Sequence, residues 1–177
     1  MINEISGKIS TCNLIWWSRL IATGFYSGCA PKAPGTVGTF AAFACWLVAE
    51  YSTLLTTFQT RSLCALAVFL VGWVATAFYI RNSYISSDDS THPDPQEIVI
   101  DEWAGLYFGL ALVPALSFFT ACLVCIFFRV FDITKWGPIG RAEKWGGSLG
   151  IMADDMIAGL CAALATYCTK FVLSVLL

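Results

Sequence analysis

The chain has 177 residues, 58% of them apolar and 12% charged, against about 25% charged in a soluble domain. A mean hydropathy of +0.72 points to one small membrane domain over residues 1–177. A net charge of −2 with no Lys/Arg run excludes a nucleic-acid binder, and no protein partner is implied.

Residues 1–29 form the N-terminal segment. Within it, residues 14–29 predict an amphipathic interfacial helix, with Trp16, Trp17 and Arg19 suited to headgroup depth. No cleavable leader is evident, because the first apolar stretch carries Arg19 and Glu4 dilutes the basic start. The run Pro31-Lys32-Ala33-Pro34-Gly35 reads as a loop before an apolar helix over 37–50. A polar tip from Ser52 to Arg61 leads into a second apolar helix over 62–81. Residues 82–96, with Pro93 and Pro95, read as a loop, in which His92 is a solvated side chain.

The apolar stretch 103–128 carries Pro114 at its centre, where proline breaks or kinks a helix. We read it as a hairpin: one helix over about 97–112, a turn at Pro114-Ala115, and a return helix over about 116–134. The arms are about 24–28 Å long, short for the hydrocarbon core. The hairpin puts Lys8, Arg19, Lys32, Arg81, Arg129, Lys135, Arg141 and Lys144 on one side, leaving Arg61 and Lys170 for the other. The basic side is then cytoplasmic. A glycine-rich loop over 136–152 precedes a last apolar helix over 156–177. The fold class expected is all-α, a small polytopic membrane bundle.

Eleven of the twelve acidic residues then fall on that cytoplasmic side. Unpaired carboxylates are costly near apolar helices, and oxygen-only ligands favour Mg²⁺, which in turn suggests a phosphate substrate. Four constellations carry the chemistry. Glu97 and Asp101 are spaced i,i+4 and share a helical face, with Glu102 beside them. Arg129, Asp132 and Lys135 recur at i,i+3, so two cations flank an acid as a phosphate monoester beside a metal would require. Asp154 and Asp155 follow a glycine run. One of them suffices as a helix cap, which leaves the other free. Lys32, Thr36 and Thr39 open the 37–50 helix, whose free N–H groups suit an anion.

Other phosphatase chemistries lack their residues. There is no Cys-x5-Arg and no Asp-x-Asp-x-Thr/Val, and His92 is the sole histidine. The eight cysteines sit mostly in apolar stretches as small hydrophobes, and Cys122-x-x-Cys125 has no second pair for a metal. Attack by metal-activated water remains.

Four blocks carry a resemblance when taken together: Ala30–Thr39 (APKAPGTVGT), Asp94–Glu102 (DPQEIVIDE), Phe128–Lys135 (FRVFDITK) and Gly150–Asp155 (GIMADD). In this order the chain resembles the phosphatidylglycerophosphatase A family. Trp136-Gly137 before Pro138, and Ser148 in the glycine run, depart from the family pattern. The resemblance implies a Mg²⁺-dependent, all-helical, multi-pass bacterial inner-membrane enzyme. It would convert phosphatidylglycerophosphate, a phospholipid substrate, to phosphatidylglycerol and inorganic phosphate.

The candidate residues are therefore Asp101, Glu102, Asp132, Asp154 and Asp155 for catalysis. Glu97, Asp101, Glu102, Asp154 and Asp155 are candidates for metal, and Lys32, Thr36, Thr39, Arg129 and Lys135 for the substrate phosphate. Rival readings are a phosphatase of another lipid or soluble phosphate ester, and a cation-handling membrane protein. The latter would want charges near the bilayer midplane, where these segments are apolar.

Overall fold

A computed structural model describes residues 13–86, 96–114 and 117–176. Helix α1 covers 13–22. A 3₁₀ turn at Ser27–Cys29 leads to α2 (Pro34–Tyr51), α3 (Phe58–Ser86), α4 (Ile100–Leu112) and α5 (Phe118–Thr134). The short α6 (Ile139–Ala142) and a 3₁₀ turn at Glu143–Trp145 connect to α7 (Gly147–Leu176). Among the described residues there is no strand, so the all-α expectation holds.

Helix α4 is the centre. Beyond Asp101 and Glu102 in its first turn it is apolar all round, as a helix surrounded by protein must be. Trp103, Ala104, Leu106, Tyr107, Leu110 and Ala111 are each at most 6% exposed. Helices α7, α3, α2 and α5 pack around it. At 13 residues α4 is about 20 Å long, too short for a span of about 30 Å. Helices α3 and α7 are long and apolar enough to cross a membrane.

The α4–α5 pair is the hairpin expected around Pro114. Arg129 near the end of α5 lies 3.3 Å from Glu102 at the start of α4, so the two run antiparallel. Ser117 caps α5, accepting from the Thr120 amide at 3.2 Å.

Helices α4 and α7 run parallel and close, because glycines face each other. A Cβ on Gly105 would strike the carbonyl oxygen of Asp155, and one on Gly159 would strike that of Gly105. Gly105-x3-Gly109 is the small-residue spacing that lets helices in lipid approach backbone to backbone. Lower down, the Tyr167 hydroxyl donates to the Leu112 carbonyl at 3.0 Å, keeping the pair in register.

Several expected boundaries move. Helix α1 stops at residue 22 instead of 29, where Gly24, Phe25 and Tyr26 turn to positive φ (53°, 55° and 66°). Helix α3 continues to Ser86, past the loop expected from 82. The rest of that loop lies outside the described residues, with Asp88, Asp89, His92 and Asp94, as does Lys8. Helix α4 starts at Ile100 instead of 97: residues 96–97 form a turn, and the Val99 amide donates to the Ala22 carbonyl at 3.0 Å instead of to a helical carbonyl. Helix α7 starts at Gly147 instead of 156. The glycine run is a helix start packed against the Glu143–Trp145 turn, where a Cβ on Gly150 would lie 3.3 Å from the Glu143 carbonyl oxygen.

Candidate active site

The first turn of α4, the last turns of α5 and the third turn of α7 meet at one end of the bundle. They bring together Asp101 and Glu102, Arg129 and Asp132, and Asp154 and Asp155. Glu102, Asp132, Asp154 and Asp155 are 9, 8, 3 and 2% exposed. Asp101 is partly exposed and lines a cavity of about 210 Å³ with Gln96, Lys135, Glu143 and Asp154.

Two cations serve the cluster. Arg129 Nη1 donates to Asp132 Oδ2 at 2.6 Å and lies 3.3 Å from Glu102 Oε1. Lys135 terminates α5 in the left-handed conformation, φ 48° and ψ 38°, which is unusual for a side chain with a Cβ. From there its ammonium bonds Asp154 and lies 3.9 Å from Asp132 and 3.7 Å from Glu143. Desolvation pulls its pKa down. The Asp154 hydrogen bond and the charges of Asp154, Asp155 and Asp132 outweigh that, so Lys135 is raised above its ordinary value and stays charged.

Neither cation forms an ion pair with Asp155, although Lys135 feels its charge. Its Oδ1 is buried without a hydrogen-bond partner, within electrostatic reach of Asp101, Asp132, Asp154 and Glu102. Among the described residues, Asp101 Oδ1 accepts from the Glu102 amide alone, at 3.0 Å. Five carboxylates therefore share two bases. A buried, unpaired anion is strongly unfavourable, so the cluster is incomplete as charge. An all-oxygen donor set with an orphaned carboxylate oxygen is the chemistry of a hard divalent cation. As the side chains lie, no three His, Cys, Asp or Glu groups among the described residues converge to ligand distances.

Helix α2 supplies the roof. Thr39 Oγ1 lies 2.9 Å from Glu102 Oε2 and 2.9 Å from the Gly35 carbonyl, and accepts from Arg129 Nη1 at 3.1 Å. One hydroxyl carries one proton, so it alternates between those two acceptors. Arg129 Nη2 donates to Thr36 Oγ1 at 3.2 Å. Gly35 leaves room for the Glu102 carboxylate, since a Cβ there would strike Glu102 Oε1 and push that side chain aside.

The expected site residues do not all arrive. Asp101, Glu102, Asp132, Asp154, Asp155, Arg129 and Lys135 gather as expected. The shared helical face for Glu97 and Asp101 does not form, because Glu97 sits in a turn before α4. Its carboxylate takes bonds from Arg19 at 3.3 Å and Tyr79 at 3.2 Å instead. Asp154 and Asp155 lie inside α7, so neither is an N-cap. Thr39 is 1% exposed and spent on protein groups, and Lys32 is exposed in the loop before α2. Sequence reasoning missed Glu143 at the cavity and the glycines that bring α4 to α7. Glu143 carries no spacing signal. The Gly105-x3-Gly109 pattern is the sequence signal for that close approach.

The fold and site together define an all-helical membrane protein with an acid-rich polar cavity at one end. The phosphatidylglycerophosphatase A family matches residues 20–170, and the chain belongs to it. It is accordingly a phosphatase. It is 33% identical over 169 residues to phosphatidylglycerophosphatase A of Haemophilus influenzae, covering 93% of each chain. It is 32% identical over 146 residues to phosphatidylglycerophosphatase A of Escherichia coli K12, covering 82% of this chain and 78% of that one. A Bacteroides thetaiotaomicron protein, provisionally named phosphatidylinositol-3-phosphatase, is 33% identical over 147 residues, 80% of this chain and 86% of that one. No solved structure matches.

Proposed function

We propose that the protein hydrolyses the terminal monoester of phosphatidylglycerophosphate, giving phosphatidylglycerol and inorganic phosphate for phospholipid synthesis. The substrate assignment draws on the two relatives that carry that name. The observation that carries the chemistry is the excess of buried carboxylates over bases beside the 210 Å³ cavity.

Asp101, Asp154 and Asp155, with Glu102, would hold Mg²⁺; Glu97, tied to Arg19, is the weakest member of the expected set. When bound, the ion supplies Lewis acidity toward the phosphoryl oxygen and the attacking water. Lys135 faces the cavity and neutralises phosphate oxygens. Arg129 holds Asp132 and Glu102 in place and adds positive potential. A carboxylate oxygen without a basic partner, on Asp101 or Asp155, takes the proton from water as it attacks phosphorus. Water's oxygen forms the new P–O bond, the glycerol oxygen leaves with the old one, and the proton balance closes on the leaving alkoxide. Catalysis is positioning and electrostatics, as phosphoryl transfer generally is.

The enzyme is a multi-pass protein of the bacterial inner membrane with this site facing the cytoplasm. Arg19, Lys32, Arg81, Arg129, Lys135, Arg141 and Lys144 share the site's end in this reading, against Arg61 and Lys170 at the other. The Tyr79–Glu97 bond sets the end of α3 at the site, and the Tyr167–Leu112 bond sets the end of α7 away from it.

The test is phosphate release by the purified protein from phosphatidylglycerophosphate, phosphatidylinositol 3-phosphate and glycerol 3-phosphate, compared as kcat/KM. The first should be the best substrate. A preference for either of the others moves the assignment to that ester.

A further inference from the structure

The segment that enters α4 is pinned from several parts of the fold at once. Residues 96 and 97 form a turn, and Ile98 and Val99 are 8 and 0% exposed. The Val99 side chain fills a socket made by glycines. A Cβ on Gly24, Gly28 or Gly38 would lie 2.9, 2.9 or 2.7 Å from it. The Glu97 carbonyl oxygen lies against Gly28, where a Cβ would strike it. The Val99 amide donates to the Ala22 carbonyl at 3.0 Å.

The Glu97 side chain completes this arrangement. Gln96 and Ile98 on either side of it line the polar cavity with Asp101. Glu97 points elsewhere. Its Oε2 accepts from Arg19 Nη2 on α1 at 3.3 Å and from the Tyr79 hydroxyl on α3 at 3.2 Å. One oxygen thus joins two helices to the chain just before α4. The Arg19 and Glu97 side chains are 49 and 43% exposed, so their ion pair adds little to global stability. What it fixes is position, because Asp101 and Glu102 follow in the first turn of α4.

We infer that Glu97 is a positioning residue. It ties α1 and α3 to the entry of α4 and so sets where Asp101 and Glu102 stand, while itself touching neither metal nor substrate. This rests on the reading above that Asp101 and Glu102 hold the cation. It also makes α1 part of the catalytic apparatus, since Arg19 and the Ala22 carbonyl both hold the segment.

The test uses the full chain in detergent, as Glu97→Ala, Arg19→Ala, the double alanine variant and the exchanged pair Arg19→Glu/Glu97→Arg. Amide hydrogen exchange is first read on the metal-free proteins, over residues 97–103. There the Val99 and Trp103 amides donate to the Ala22 and Val99 carbonyls at 3.0 and 3.2 Å. Glu97→Ala should speed exchange about five- to tenfold through local opening, and Arg19→Ala should act in the same direction. With no metal present, loss of a mere ligand would not loosen this segment.

Phosphate release is then measured with saturating Mg²⁺. Glu97→Ala should lower kcat about tenfold with KM within about twofold, the pattern of misplaced catalytic groups. The double alanine variant should fall no further than Glu97→Ala, because both substitutions break one joint. The exchanged pair should return kcat to within about threefold of wild type, since the same joint is remade with its charges reversed. An arginine at a metal-ligand position could not do this.

Unchanged exchange in metal-free Glu97→Ala overturns the inference. So does a folded exchanged pair no more active than Glu97→Ala, which would return Glu97 to the ligand set. If the exchanged pair does not fold, the exchange rates and the double alanine variant decide the question. Wild-type activity that survives excess chelator would refute the metal reading and leave the exchange rates to judge the joint.

Discussion

The two ends of α2 each hold buried charge, and they differ in balance. At its C-terminal end Glu50 meets Arg61, whose Nε donates to Glu50 Oε2 at 3.1 Å and to the Leu55 carbonyl at 3.0 Å. One acid answers one base, and a backbone oxygen completes the guanidinium. At the N-terminal end Thr36 and Thr39 roof five carboxylates that share Arg129 and Lys135. The first arrangement is complete within the protein and serves the α2–α3 turn. With all five ionised the second would be three positive charges short, a deficit that bound protons or a cation must relieve. The contrast separates structural from functional charge better than burial does, since Arg61 is as buried as Asp132, at 7 and 8% exposed.

Removing a charge from the unbalanced end should have the largest effect on turnover. Asp101→Asn and Asp155→Asn should each lower kcat at least about 10²-fold, the usual loss of a key electrostatic group. Circular dichroism and gel filtration should show a folded protein. Wild-type turnover in both variants would demote these acids to packing.

Displacing the site without touching a charge comes next. Gly105→Val forces α4 from α7, because a Cβ already meets the Asp155 carbonyl. Turnover should fall roughly ten- to a hundredfold, since a displacement of about 1 Å is enough for such losses. Unchanged kinetics would mean that the Asp101–Asp155 spacing does not matter.

At the balanced end the effect should be on stability. Glu50→Gln leaves Arg61 buried without its partner, a loss of about 3 kcal/mol. The detergent-denaturation midpoint should drop, with turnover per folded molecule at the wild-type level. A matching loss of turnover would tie that end to catalysis and erase the distinction. Replacing all eight cysteines with Ser or Ala should do least. Activity should persist, since the described cysteines are free thiols outside the cluster and only Cys125 among them is buried. Loss of turnover in a folded cysteine-free protein would reopen thiol chemistry.

The acids, the hairpin at Pro114 and the helical class were legible because each follows from local pattern: charge against apolar runs, a central proline, long apolar periods. What sequence missed depends on tertiary contact. Gly147-Ser148-Leu149-Gly150 reads as a loop because glycine is a poor helix former, yet it is the first turn of α7, with Gly150 packed against the Glu143–Trp145 turn. Glu97 has the right spacing for the cluster, but Val99 is hydrogen-bonded to Ala22, so the helix that would have aligned Glu97 with Asp101 begins after it. Thr39 looked like a substrate contact at an exposed helix start. Once α4 and α5 are docked, it lies beneath them, bridging Glu102 and Arg129.

The central claim is that the charge missing from the unbalanced end is a divalent cation needed for phosphate release. The direct measurement is phosphate release from phosphatidylglycerophosphate micelles by one preparation, assayed as purified, after excess chelator, and after Mg²⁺ is restored. The account predicts activity lost with the chelator and regained with Mg²⁺. Full activity in excess chelator would contradict it.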